Sequence, residues 1–398
     1  MFVFALGGGR RPATEIQDKH LIPFIHVLRG AAPLLVMWCH LGGWWFMERG
    51  ISFAPWTVYQ SAIVDGFRLK QGGAHFGVSI FFLVSGYIIS HVAQSESRRE
   101  FVIKRAFRLL PTLFIASGAM AIGTAAASRF GLVPMLGDEA KSLRDYLMSA
   151  IMLNFPVDRR PLALAITWSL WAEVLFYALV VAVIPLIKTR PVAATWVLTA
   201  AELVLVLPFK ASADLSYLGY FSIYLPLFVV GRIFYLDHAK QIAGREAVTL
   251  LAANLLVFAL MYEFRFPGLL LEGPTEAIWT YLFAIVVFYA FMRAGFRSVH
   301  PILSFFADIS YALYLLHLPV GCITMSVGYS LGLGPIWLFA AGVSASVLAA
   351  FLVTRLVEKP MNKFARDLIK RGALLKSPEA ELSGHALHQT PLASSSQS

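Results

Sequence analysis

Long apolar blocks alternate with short charged breaks along the chain. The blocks run for roughly 17–25 residues, the length at which an α-helix crosses a bilayer. They fall at about 24–47, 76–94, 111–127, 164–187, 191–209, 216–236, 246–264, 275–295, 301–327 and 333–357, and so predict ten membrane-spanning helices. A transmembrane β-barrel repeats short segments of alternating polarity instead. Charge supports the same division. With the N-terminus in the cytosol, the inward segments collect Arg10, Arg11, Lys19 and Arg29, then Arg98, Arg99, Lys104, Arg105 and Arg108, then Lys188 and Arg190. Arg232, Lys240, Arg245, Arg293, Arg297 and the basic residues from Arg355 to Lys376 continue the series, while Asp138, Glu139, Asp145 and Asp158 fall on the other side. That is the positive-inside asymmetry, which a missed or surplus helix would scramble. An all-α polytopic bundle with both termini cytosolic is expected.

Composition agrees. Of 398 residues, 58% are hydrophobic and 14% charged, with a mean hydropathy of +0.69; a soluble domain carries about 25% charged residues. The net charge of +10 is spread between the apolar blocks, whereas a nucleic-acid binder gathers basic residues on one soluble face. No nucleic-acid partner is expected. Cys39 and Cys322 both lie in apolar blocks and make neither a disulfide framework nor zinc spacing, so no metal is expected. The first residues lack the order of a secretory signal, because Arg10 and Arg11 follow the short apolar stretch. The expected organisation is a cytosolic segment at 1–22, a membrane domain at 23–365 and a disordered tail at 366–398 rich in Ser, Ala, Pro and His. Two outward loops, about 48–75 and 128–163, are long enough to cap the bundle, and 143–153 suits an interfacial helix.

Ionisable groups inside the spans are costly, and they locate the candidate chemistry. Arg29 and His40 stand eleven residues apart in the first span. That is close to three turns, so they share a face and sit about 16 Å apart along the axis. A cation at the inner boundary and an imidazole near the midplane suit an elongated ligand with an anionic head and a reactive tail, the shape of a coenzyme A thioester. The plainer alternative is a topology anchor and an interhelical hydrogen bond. Arg105 and Arg108, read as a loop between the second and third spans, face one way if that stretch is helical. Arginine forks grip phosphates, yet a basic cytosolic loop also serves topology and lipid contact. In Thr167-Trp-Ser-Leu-Trp-Ala-Glu-Val-Leu-Phe-Tyr177, Glu173 should face the bundle interior, to orient a histidine, accept a proton or brace helices, with Ser169 and Tyr177 nearby. In Asp308-Ile-Ser-Tyr-Ala-Leu-Tyr-Leu-Leu-His-Leu-Pro319, Ser310, Tyr311, Tyr314 and His317 are the hydrogen-bonding groups, and Pro319 is placed to kink the helix. Ser79, Ser85 and Gly86 suit close helix packing.

These segments resemble, in order, the motifs of the membrane acyltransferase-3 family: Arg29 with His40, Gly77-Val-Ser-Ile-Phe-Phe-Leu-Val-Ser-Gly-Tyr87, Lys104-Arg-Ala-Phe-Arg-Leu-Leu-Pro111, the Glu173 segment, the His317 segment and Val357-Glu-Lys-Pro360. The resemblance spans roughly 22–365. It implies ten helices in a bacterial inner membrane, and acyl-CoA, most simply acetyl-CoA, used from the cytosol as co-substrate with no resident cofactor. The acceptor it implies is a sugar hydroxyl on a surface or exported glycan or a lipid-linked precursor. The family's helix 1 histidine falls on His40 as catalytic residue, its helix 1 arginine on Arg29, its paired arginines on Arg105 and Arg108, and its helix 4 glutamate on Glu173. His317 would act with Glu173 in positioning the acceptor or tuning His40. Ser79 stands where the family often has aspartate, so no carboxylate role carries over there. A transporter or flippase of a lipid-linked sugar explains the spans equally well, but not the arginines aligned with a deep histidine; a sensor or scaffold would need neither His40 nor Glu173.

Overall fold

The computed structural model of the protein describes residues 22–132, 141–154, 157, 163–211, 216–267 and 276–374. Every regular element among them is a helix. Helices α1 (Pro23–Met47), α2 (Lys70–Val92) and α3 (Arg98–Phe130) come first, then the short α4 (Leu143–Ala150). Next are α5 (Ala165–Thr189), α6 (Pro191–Val206), α7 (Ser216–Ser222), α8 (Leu225–His238) and α9 (Gly244–Arg265). The last four are α10 (Glu276–Arg293), α11 (Pro301–Asp308), α12 (Ser310–Ser330) and α13 (Pro335–Arg371). Among the described residues seven helices are by themselves long and apolar enough to cross a membrane, α7 and α8 together make an eighth if the pair, bent by 41°, is one span, and α6 and α10 are shorter apolar helices. All ten expected segments are therefore helical, and the protein is an all-α polytopic membrane protein.

The boundaries differ at three places. The stretch read as a basic loop is the first third of α3, one helix of 33 residues, about 50 Å long at 1.5 Å per residue. Low hydropathy disguised it, but a capping box starts it: Glu100 N donates to Ser97 Oγ at 3.2 Å and Ser97 N donates to Glu100 Oε2 at 2.8 Å. The expected helix 301–327 breaks at Ile309 into α11 and α12. The last helix continues beyond its expected end as an amphipathic segment, Lys359–Leu374; the remainder of the expected tail lies outside the described residues. The expected interfacial helix appears as α4, with Ser142 and Asp145 closing its own capping box.

The packing follows from a solvent that offers no hydrogen bonds. Helix α2 lies at the centre, against α8, α1 and α10, and Leu225–Leu236 of α8 is buried throughout. The two helices meet at Gly86 and Gly231, where a side chain on either would strike the backbone of the other at Phe228 or Leu83. Polar side chains in this interior fasten helices to one another. Arg232, 1% exposed, donates to Thr195 Oγ1 and Pro191 O, both at 3.0 Å, fastening α8 to α6. Asn254 donates to Glu202 at 3.2 Å, fastening α9 to α6. The exposed side chains are largely apolar, among them Val204, Leu256, Val286, Leu348 and Leu352, a surface suited to hydrocarbon. Gly231→Val should prevent α2 and α8 from closing and abolish the monodisperse peak on size-exclusion chromatography in detergent. Gly118→Ala, at a position with open space around it, should elute normally; normal elution of Gly231→Val would contradict the close approach.

Candidate active site

Two π-helical turns build the centre of the site. Trp38–Trp44 interrupts α1 and His317–Cys322 interrupts α12, and the two turns pack against each other. Each adds a residue per turn and re-aims the side chains it carries, a device frequent at functional sites. Pro319, which has no N–H to continue the α pattern, accompanies the second. His40 lies in the first turn and His317 opens the second. Their rings are nearly parallel, at 11°, and His40 Nδ1 lies 2.8 Å from His317 Nε2.

The proton order in this pair follows from the third partner. His317 Nδ1 is 3.1 Å from Leu313 O, and a carbonyl only accepts, so in the neutral pair Nδ1 of His317 carries its proton. His317 Nε2 is then an acceptor, and His40 Nδ1 donates to it. His40 is left with an unprotonated Nε2 whose lone pair is free for a substrate. His317 is 0% exposed and His40 half-buried, so His317 holds the ring that meets the ligand.

His40 lines a cavity of about 910 Å³ at the end of the bundle where α1 finishes and α2 begins. Trp44, Trp56 and Trp168 contribute aromatic wall, and Gln60, Asp65, Arg68 and Gln71 contribute polar groups. The last four lie in the expected cap at 48–75, which folds into short helical turns over the cavity. Trp44 stands edge-on to His40, with ring centroids 6.4 Å apart. His75 stacks against Trp168 at 5.5 Å, and Tyr281 OH is 3.3 Å from its Nδ1.

A second chamber, only about 70 Å³, lies toward the opposite end of α1 and α2 and is lined by Arg29, Arg108, Glu173, Ser85, Ser310 and Tyr311 among others. Arg29 donates to Ala307 O and Ser310 Oγ, both at 3.4 Å. Glu173 accepts from Ser85 Oγ at 2.9 Å and from Tyr177 OH. Tyr311 OH donates to Leu109 O at 2.9 Å. Tyr314 lines the chamber on the side of the histidine pair: its hydroxyl is 2.7 Å from Ser169 Oγ and 3.1 Å from Ile166 O, and its ring contacts Phe81 and His317, with centroids at 5.5 and 6.1 Å.

The structure thus brings Arg29, Arg108, Glu173, Tyr177, Ser310, Tyr311, Tyr314 and Ser169 together around the chamber, and His40 with His317 at the cavity. In place of the single track expected from Arg29 to His40, the two residues line separate compartments. Arg105 stands apart from both: it pairs with Glu96 at 3.4 Å, beside Lys104 at 3.0 Å from the same carboxylate. Glu173 meets Ser85 and Tyr177, not a histidine. Four cavity residues escaped the reading of the sequence because they sit in a loop with no periodicity. His75 carried a usable signal, as an ionisable residue at the start of an apolar block.

A helical membrane bundle in which His40, held by His317, faces a cavity while buried arginines stand at the other end has the arrangement of an integral membrane enzyme. The chain belongs to the Acyl_transf_3 family, described as an acyltransferase domain, whose model matches residues 22–355. It is 27% identical over 324 residues to the exopolysaccharide production protein ExoZ of Rhizobium meliloti (strain 1021), an alignment covering 78% of this chain and 95% of that protein. No solved structure matches the chain. The protein is accordingly a membrane acyltransferase.

The two compartments predict opposite access. With Cys39 and Cys322 replaced by serine, a membrane-impermeant thiol reagent should label His40→Cys from the face where the cavity opens and Arg29→Cys only from the other. Labelling of both from one face would contradict the separation of the two compartments.

Proposed function

We propose that the protein transfers an acetyl group from cytosolic acetyl-CoA to a sugar hydroxyl on an exported or surface glycan, or on its lipid-linked precursor, in a bacterial inner membrane. The observation that carries this reading is the His40 Nδ1 to His317 Nε2 hydrogen bond at 2.8 Å, which leaves a basic ring nitrogen at a large cavity beside aromatic and polar walls. Likeness to a protein named for exopolysaccharide production supports the class of acceptor.

Arg29 and Arg108 draw the donor's phosphates to the inner end, where two guanidinium groups match their charge. The pantetheine arm carries the thioester past Tyr314 to His40. The acceptor hydroxyl, in the cavity, gives its proton to His40 Nε2 as its oxygen attacks the thioester carbonyl. The carbon–sulfur bond breaks, and the departing coenzyme A thiolate takes that proton back. His317 is a positioning residue: bound to the Leu313 carbonyl, it keeps the His40 ring in the required tautomer and orientation. Glu173, held by Ser85 and Tyr177, balances charge beside Arg108.

The test is transfer of labelled acetyl groups by protein in liposomes supplied with acetyl-CoA and saccharide acceptors. His40→Ala should lose about 10²- to 10⁴-fold in kcat, the usual worth of a general base. Arg108→Gln should raise the KM for acetyl-CoA before it lowers kcat. Full activity of a folded His40→Ala variant would end this reading.

A further inference from the structure

The wall of the outer cavity between Gln60 and Gly73 has a feature that helix packing does not require. Arg68 and Gln71 adopt left-handed backbone conformations, with φ of 48° and 50°, and Gly72 and Gly73 follow at 64° and 94°. Non-glycine residues rarely take these angles, because Cβ crowds the carbonyl oxygen. Such outliers persist where the surroundings over-determine them, and they concentrate at ligand clamps. Here the surroundings are explicit. Cys39 Sγ and Tyr59 OH both donate to Gly72 O, at 2.9 and 3.0 Å. The Trp56 ring fills the space a Cβ on Gly72 would need, at 2.5 Å. The strained turn is locked to the helix that carries His40.

What the turn presents is a set of polar groups beside a stacking surface. Gln60 Nε2 donates to Asp65 Oδ1 at 2.8 Å, which fixes the carboxylate. Asp65 Oδ2 and the Arg68 guanidinium have no partner among the described residues, although both side chains line the cavity. A carboxylate oxygen and a guanidinium lining one cavity can accept from and donate to neighbouring hydroxyls of one ring. Trp44, edge-on to His40, supplies an apolar face for the C–H side of the same ring. Few convergent polar groups on an aromatic wall is the construction of a small-molecule site.

Resting on the acyltransferase reading above, we propose that the strained segment at 60–73 is the acceptor-recognition element: Asp65 and Arg68 bind vicinal hydroxyls of a pyranose stacked on Trp44, so that a further hydroxyl of that sugar faces His40 Nε2. Specificity for the acceptor then resides in this segment, and specificity for the donor in the inner chamber. An apolar or peptide acceptor gains nothing from the Asp65 and Arg68 pair.

The experiment uses full-length protein in nanodiscs and, as probe, oligosaccharides released by mild acid from the lipid-linked pool of the producing cells. Binding is read by tryptophan fluorescence without donor, and transfer by labelled acetyl-CoA. Asp65→Asn and Arg68→Ala should each weaken saccharide binding about ten-fold or more, as expected for a lost charge-assisted hydrogen bond, and raise the acceptor KM in step. The KM for acetyl-CoA should not change. Arg68→Gly relieves the backbone while removing the charge, so it should raise the melting temperature yet bind saccharide as poorly as Arg68→Ala. Transfer with an unchanged acceptor KM in both charge variants overturns the inference and leaves the acyltransferase reading intact. Saccharide binding that depends on Asp65 and Arg68 without any transfer upholds the inference and overturns the acetyl-transfer reading. Absence of saccharide binding by the wild-type protein overturns the inference.

Discussion

A hydrocarbon interior offers no hydrogen bonds, so each polar group carried into it must find its partner within the protein. The His40, His317 and Leu313 chain is the point at which this constraint becomes chemistry. Leu313 O accepts a hydrogen bond from His317, His317 accepts one from His40, and the remaining nitrogen is left for a ligand. Had His40 Nδ1 faced only water, which both donates and accepts, its tautomer would have been open. The two π-helical turns make the chain possible by turning both rings toward each other across the helix interface.

The same constraint shapes the rest of the molecule. Arg232 and Glu202 lie fully inside the bundle, and each binds a neighbouring helix through a hydrogen bond. Arg29 and Arg108 stand in a chamber too small for a large ligand at rest, so their charge is met by Glu173 and by backbone and hydroxyl oxygens. Tyr314 lines that chamber on the side facing the histidine pair.

Much of the architecture was legible in the chain itself. Ten apolar blocks are ten helical segments, because crossing a bilayer demands a run of apolar residues whose length is set by the membrane and not by neighbours. His40, Glu173 and His317 were legible for the same reason, as ionisable groups where they are expensive. The basic stretch from Arg98 to Leu110 misled, since hydropathy reports transfer to lipid, while helix formation there depends on the Ser97 and Glu100 capping box. Arg105 and Arg108 share a helix, but only Arg108 enters the chamber; Glu96 claims Arg105.

What the sequence determined alone was class, segment positions, charge asymmetry and the presence of costly polar groups, all of which depend on one residue and its immediate neighbours in a uniform solvent. Which groups meet was decided by tertiary structure. The His40 partner lies 277 positions away, the two compartments exist only once α1, α2, α5 and α12 pack, and the polar wall at 60–73 has no period to betray it. Pairings of that kind depend on helix rotation, and one extra residue in a π-helical turn is enough to change which side chain faces which cavity.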